Sequence, residues 1–216
     1  MTVVQLRAIE GAGRPMPPQS LMAEALPGFA PAIDLGLWAK RTFIDPRGSL
    51  TNPDHEHLQE ASIGWLWTTF QNARKGRAVL GQAELGQPSS SAGKWAKARL
   101  ETQLITWFGV VPHFLITLDA HYAERMSDVQ FCALVEHELT HCAQATDEYG
   151  SPKFRSDGSP AWTLKGHDCE EFVSVVRRYG ATSKALREMV EAVNRGPEIG
   201  AADIAGACGN CLGKAA

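Results

Sequence analysis

Apolar residues recur along the chain in two rhythms, which divide it into strands and helices. "ASIGWLWTTF" (61–70) is a β-branched and aromatic run that predicts a strand. "GRAVLGQAEL" (76–85), flanked by turn residues, predicts a second. In "KWAKARLETQLITWFG", Leu100, Leu104, Trp107 and Phe108 stand at i, i+4, i+7 and i+8, one face of a helix that Gly109 is placed to end. "HFLITLD" (113–119), entered from Pro112, predicts a strand with apolar side chains on both faces, in the interior or at the edge of a sheet.

Ser127 followed by Gln130 forms a capping box, so a helix is expected from Asp128. Without Gly or Pro it can run through "DVQFCALVEHELTHCAQAT" to Thr146. "SPKFRSDGSPAWTL" predicts a short hairpin turning at Asp157 and Gly158. Two more helices follow: "HDCEEFVSVVRRYG", closed by Gly180, and "TSKALREMVEAVNRG", capped by Thr182 or Ser183 and stopped by Gly196. Strands and helices do not alternate regularly, which points to an α+β fold. Residues 1–37 are interrupted by Pro15, Pro17, Pro18, Pro27 and Pro31 and read as a Pro-rich arm. A domain over 38–196 and a C-terminal tail over 197–216 complete the division.

Composition narrows the setting. The 216 residues are 44% hydrophobic and 21% charged, enough for one domain with a real core. A net charge of −3 leaves no electrostatic footprint for nucleic acid or an anionic membrane. The N-terminal stretch has no signal-like apolar run, and nothing approaches the roughly 20 apolar residues of a membrane span. The expected location is cytoplasmic. Five cysteines without a secretory signal do not form a disulfide framework. Cys132 and Cys142 read as small buried hydrophobes, and Cys169 lies near the candidate ligands described next. Cys208 and Cys211 make a lone C-x-x-C, two of the four ligands a structural zinc needs, and read as a turn near the end of the chain, with a second metal site or a disulfide as the alternatives.

The chemistry concentrates in "VEHELTHCAQ" (135–144), which contains H-E-x-x-H. Residues four apart share a helix face, about 6 Å between side-chain bases, so His137 and His141 can point at one ion. Glu138, next around the helix, can reach a water on that ion and act as general base. A catalytic zinc takes three protein ligands and an open position. The third is sought in "KGHDCEEF": His167 is favoured, Glu171 shares its helix face one turn on, and Glu170 is the remaining candidate. Asp168, or a glutamate left free, would orient a ligand imidazole through its second nitrogen. Tyr149, Tyr122 and His121 are the nearby donors for an oxyanion, each more simply read as a packing or surface residue. His55 and His57 read as packing around a turn.

"ALVEHELTHCAQATDEYG" followed by "GHDCEEFVSVVRRYG" resembles the phage metallopeptidase family, a group distantly similar to the SprT-like zincins. The likeness extends from "NPDHEHLQEASIGWLWT" to "IAGACGNC", about residues 38 to 212. It implies a zincin-like fold: a small mixed sheet, an active-site helix and a following ligand-bearing helix. It implies one catalytic zinc on His137, His141 and His167, with Glu138 as general base. The chain departs from the SprT-like pattern in one place. Phe172 follows His167 by five residues rather than four, which leaves His167 and Glu171 as alternatives. In zincins the strand before the active-site helix lines the cleft, here "HFLITLD", where a peptide could pair through its main chain. The expected activity is zinc-dependent hydrolysis of a peptide or protein. The alternatives are a non-catalytic, zinc-stabilised binding protein and a zinc hydrolase of another substrate.

Overall fold

The computed structural model describes residues 13–74, 76–87, 93–169, 173–181, 183–204 and 207–209. Four strands build the main sheet: β1 (Phe29–Pro31), β2 (Ile63–Thr68), β5 (Gly81–Leu85) and β6 (Phe114–Asp119). Their spatial order is β1-β2-β6-β5. β2 and β6 run parallel at the centre, and β1 and β5 flank them antiparallel. Between β2 and β5 lies a small ribbon of β3 (Ala73–Arg74) and β4 (Arg77–Ala78).

Both faces of the sheet are covered, which explains the near-continuous apolar runs of its central strands. Side chains alternate along β2. Trp65 and Trp67 point to one face, where Trp65 meets Gly36 of α2 (Ile33–Ala39) and Trp67 stacks on Phe131 at 6.1 Å between ring centroids. Trp38 joins the same cluster, 5.7 Å from Phe131. On the other face, Gly64 lies under Phe108, the last residue of α3 (Lys94–Phe108). A side chain at 64 would collide there, since its Cβ would come within 2.9 Å of that ring. Phe114, Ile116 and Leu118 of β6 are fully buried.

Several sequence expectations shift. The segment read as an arm supplies α1 (Gln19–Met22), β1 and α2, so its later half belongs to the sheet and its cover. Proline interrupts helices but is tolerated on an edge strand, and Pro31 sits on one. The run 76–85 divides into β4 and β5 instead of one strand. "HFLITLD" is not an edge: β6 is hydrogen-bonded on both sides, and β5 takes the outer position. α3 ends at Gly109 in the left-handed region as expected, but of its predicted apolar face Leu104 is buried while Leu100 is half exposed.

After β6 the chain passes through α4 (Ala120–Arg125) into α5 (Asp128–His141), which carries the motif. The capping box forms as predicted: Ser127 Oγ accepts from Gln130 N, and Gln130 Oε1 accepts from Ser127 N. Ser127→Ala is expected to cost about 1 kcal/mol, a fall in Tm of about 2–4 °C. An unchanged Tm in a thermal melt would mean that packing alone holds the helix start.

The helix stops at His141, five residues short of the expected Thr146. Cys142 turns extended and is fully buried, and β7 (Cys142–Gln144) pairs antiparallel with β8 (Trp162–Leu164). His57 Nε2–H donates to the Cys142 carbonyl at 2.8 Å. These bonds take the main-chain groups that another helical turn would have used. The excursion between β7 and β8 contains the predicted turn, with a bridge between Phe154 and Pro160 and Gly158 at φ +81°. α6 (Val173–Tyr179) and α7 (Lys184–Arg195) follow, the latter capped by Ser183. Glu170, Glu171, Phe172, Thr182 and Cys211 lie outside the described residues. Among the described residues, no helix is long and apolar enough to cross a membrane.

Candidate metal centre

The last turn of α5 carries the site. His137 is partly buried and His141 buried, and their Nε2 atoms approach to 3.2 Å. His141 Nδ1 lies 2.7 Å from the Lys165 carbonyl. A carbonyl only accepts, so Nδ1 carries the proton and Nε2 presents its lone pair to the site. Lys165 N donates in return to the His141 carbonyl at 2.8 Å. The pairing of β7 with β8 thus brings residues 165–167 back across the helix end. For His141 the orienting partner is this main-chain carbonyl, while the Asp168 carboxylate meets Lys165 Nζ at 2.7 Å.

His167 arrives with this segment. Its ring centroid is 5.3 Å from those of both His137 and His141, stacked on the latter. Its side is exposed, so it closes the cluster from the solvent. The structure therefore brings together all three histidines singled out from the sequence.

A cysteine joins two of these histidines. Cys208 Sγ is 3.2 Å from His141 Nε2, and the ligand atoms of His137, His141 and Cys208 all lie within 4.8 Å of one another. The sequence offered no spacing rule for this approach. The visible signal was the C-x-x-C of Cys208 and Cys211, which marks soft donors without saying what they approach. Imidazole and thiolate together suit a borderline-soft divalent metal better than calcium or magnesium.

Glu138 is fully buried beside the cluster. Gly81, the first residue of β5, makes room for it: a Cβ there would stand 2.8 Å from Glu138 Oε1. Burial pushes the Glu138 carboxyl up to about 7, while the Cys208 thiol and the Ala83 main chain pull the other way. Neither oxygen reaches full hydrogen-bond geometry, so burial prevails. Burial also lowers His137 to about 4, helped by the neighbouring His141 and His167, and lowers His141 in the same direction. Both imidazoles are then neutral at pH 7, the form that binds metal.

The remaining candidates lie in other roles. His55 is buried with Nε2 3.4 Å from Thr140 Oγ1, and with His57 it packs against the end of the motif helix. Tyr149 stands 84% exposed in the Asp147–Gly150 turn, and Tyr122 is half exposed on α4. Cys132 and Cys142 are buried, as expected of small apolar residues.

No curated protein and no solved structure shows significant similarity to the chain. The family model described as "Putative phage metallopeptidase" matches residues 37–194, from the end of α2 to the end of α7 and across the whole histidine cluster, and the chain belongs to that family.

Proposed function

We propose that the chain is a zinc-dependent metallopeptidase in which His137, His141 and His167 hold the ion and Glu138 is the general base. One observation carries the reading. Two neutral imidazoles present Nε2 atoms 3.2 Å apart with a buried carboxylate beside them. Two nitrogens on a tetrahedral zinc stand about 3.3 Å apart. When bound, the ion supplies a Lewis acid that lowers the pKa of its water to about 7.

The chain's own groups do the rest. The Lys165 carbonyl holds the His141 ring in the tautomer that offers Nε2. Glu138, with its carboxyl near 7, is matched to take a proton at neutral pH and give it to the leaving amine. β5 replaces β6 as the outer strand of the main sheet beside the site, with Gly81 against Glu138 and residues 207–209 bridged to its start. A peptide or protein substrate would pair there through its main chain, with little dependence on sequence.

A second reading has an observation of its own. Cys208 stands where it can reach the same ion, and a site with four protein ligands is characteristic of structural zinc. A zinc-stabilised binding protein would look like this. The two readings separate when a mixed peptide library is offered to the zinc-loaded chain and to its Cys208→Ser variant. A peptidase cleaves, stops on chelation and resumes with zinc. A full complement of one zinc per chain with no cleavage by either protein would sink the peptidase reading.

A further inference from the structure

We propose that Cys208 is itself a ligand of the ion, held there because residues 207–209 occupy the outer edge of β5. The inference rests on the metal site proposed above and adds to it a closed, four-donor state.

Three observations support it independently. The first is placement: Cys208 is 1% exposed, and its sulfur lies 3.2 Å from the lone-pair nitrogen of His141. The second is the main chain. Leu80 N donates to the Ala207 carbonyl at 2.6 Å, and Gly209 N donates to the Gly81 carbonyl at 2.8 Å. Cys208 and Gly81 thereby form a parallel bridge. The Leu80 carbonyl meanwhile accepts from Asp119 N on the β6 side. The added segment thus lies on the side of β5 away from β6, the side a substrate strand would use. The third is the seat around Gly209. Arg74 Nη1 donates to its carbonyl at 2.7 Å. A Cβ at 209 would come within 2.5 Å of Gln82 Oε1 and 2.9 Å of Val79 Cγ1, so the backbone is held where a side chain does not fit.

The chemistry follows from the donor count. Three imidazoles and one thiolate complete a tetrahedral shell, and a complete shell has no position for water. The same segment that delivers the thiolate covers the main-chain groups of Gly81, next to the general base. The folded chain therefore carries its metal in a latent form, and catalysis requires residues 207–209 to leave the edge. A water would take the place of the thiolate: the sulfur–metal bond would break and an oxygen–metal bond would form, with no change of oxidation state.

Cobalt(II) in place of zinc tests this directly, because a thiolate ligand gives cobalt an intense sulfur-to-metal charge-transfer absorption. The full chain is expected to bind one cobalt and show that band. Cys208→Ser is expected to bind one cobalt without it. Gly209→Val keeps the thiol but disrupts its seat, and is expected to lose most of the band. With zinc, if the closed form holds nine-tenths of the molecules, Cys208→Ser raises peptide turnover about tenfold. A cobalt-loaded parent with no charge-transfer band overturns the proposal, even if it cleaves peptides. A Cys208→Ser chain that no longer takes up cobalt also overturns it, since the thiolate would then be indispensable rather than displaceable. A band that depends on Cys208, with no cleavage by any variant, keeps the ligand and removes the peptidase.

Discussion

Glu138→Gln is expected to lower peptide turnover by about 10²–10⁴-fold while leaving one zinc per chain. The amide keeps the volume of the carboxylate in the space beside Gly81 but accepts no proton at neutral pH. Steady-state cleavage compared with bound metal checks it, and a variant that cleaves at the parental rate rules Glu138 out as the base. The same substitution has a second consequence in the metal-free protein. The unfolded chain ionises Glu138 near 4.5, whereas the folded chain resists ionisation until about 7. Across that interval the unfolded state gives up its proton first, so stability falls as pH rises. The amide has no such penalty. Metal-free Glu138→Gln should therefore melt above its metal-free parent at pH 8, with the gap closing towards pH 4.5.

His141→Ala is expected to abolish the thermal stabilisation that zinc confers. With free zinc at about a thousand times its dissociation constant, binding adds about 4 kcal/mol to the folded state, on the order of 10 °C in Tm for a chain of this size. His141 supplies one of the two nitrogens at 3.2 Å and is the residue tied to Lys165. Comparing each protein with and without zinc separates loss of the ligand from loss of packing. If zinc raises the Tm of the variant as far as that of the parent, the ion is held elsewhere.

What the sequence made legible is what local chemistry determines. The β-branched and aromatic runs at 63–68 and 114–119 are strands, and Ser127 with Gln130 starts the motif helix. Gly109 ends α3 for the same local reason. The neighbours of these elements were not legible, because hydrogen bonds between distant segments choose them. β1 comes from a proline-rich stretch whose composition argued for an arm, and it is held by pairing with Ala30 opposite Trp67. β6 was expected to line the cleft, but β5 covers its edge. At the site, a helical spacing of four residues located His137, Glu138 and His141, and the returning strand β8 carries the chain on to His167. Cys208 follows His141 by 67 residues and reaches it through a bridge to Gly81, which no local pattern encodes.

The early end of α5 has an electrostatic consequence. The aligned peptide dipoles of a helix give its C-terminal end about half a negative charge. Because Cys142 leaves the helix at once, this negative pole lies at His141, beside the nitrogens that would hold the ion. A helix continuing to Thr146 would have carried the pole a turn further on. In a partly buried setting such a field favours a cation by up to about 2 kcal/mol. The strand that cuts the helix short would thus add to the pull of the imidazoles on a cation in this pocket.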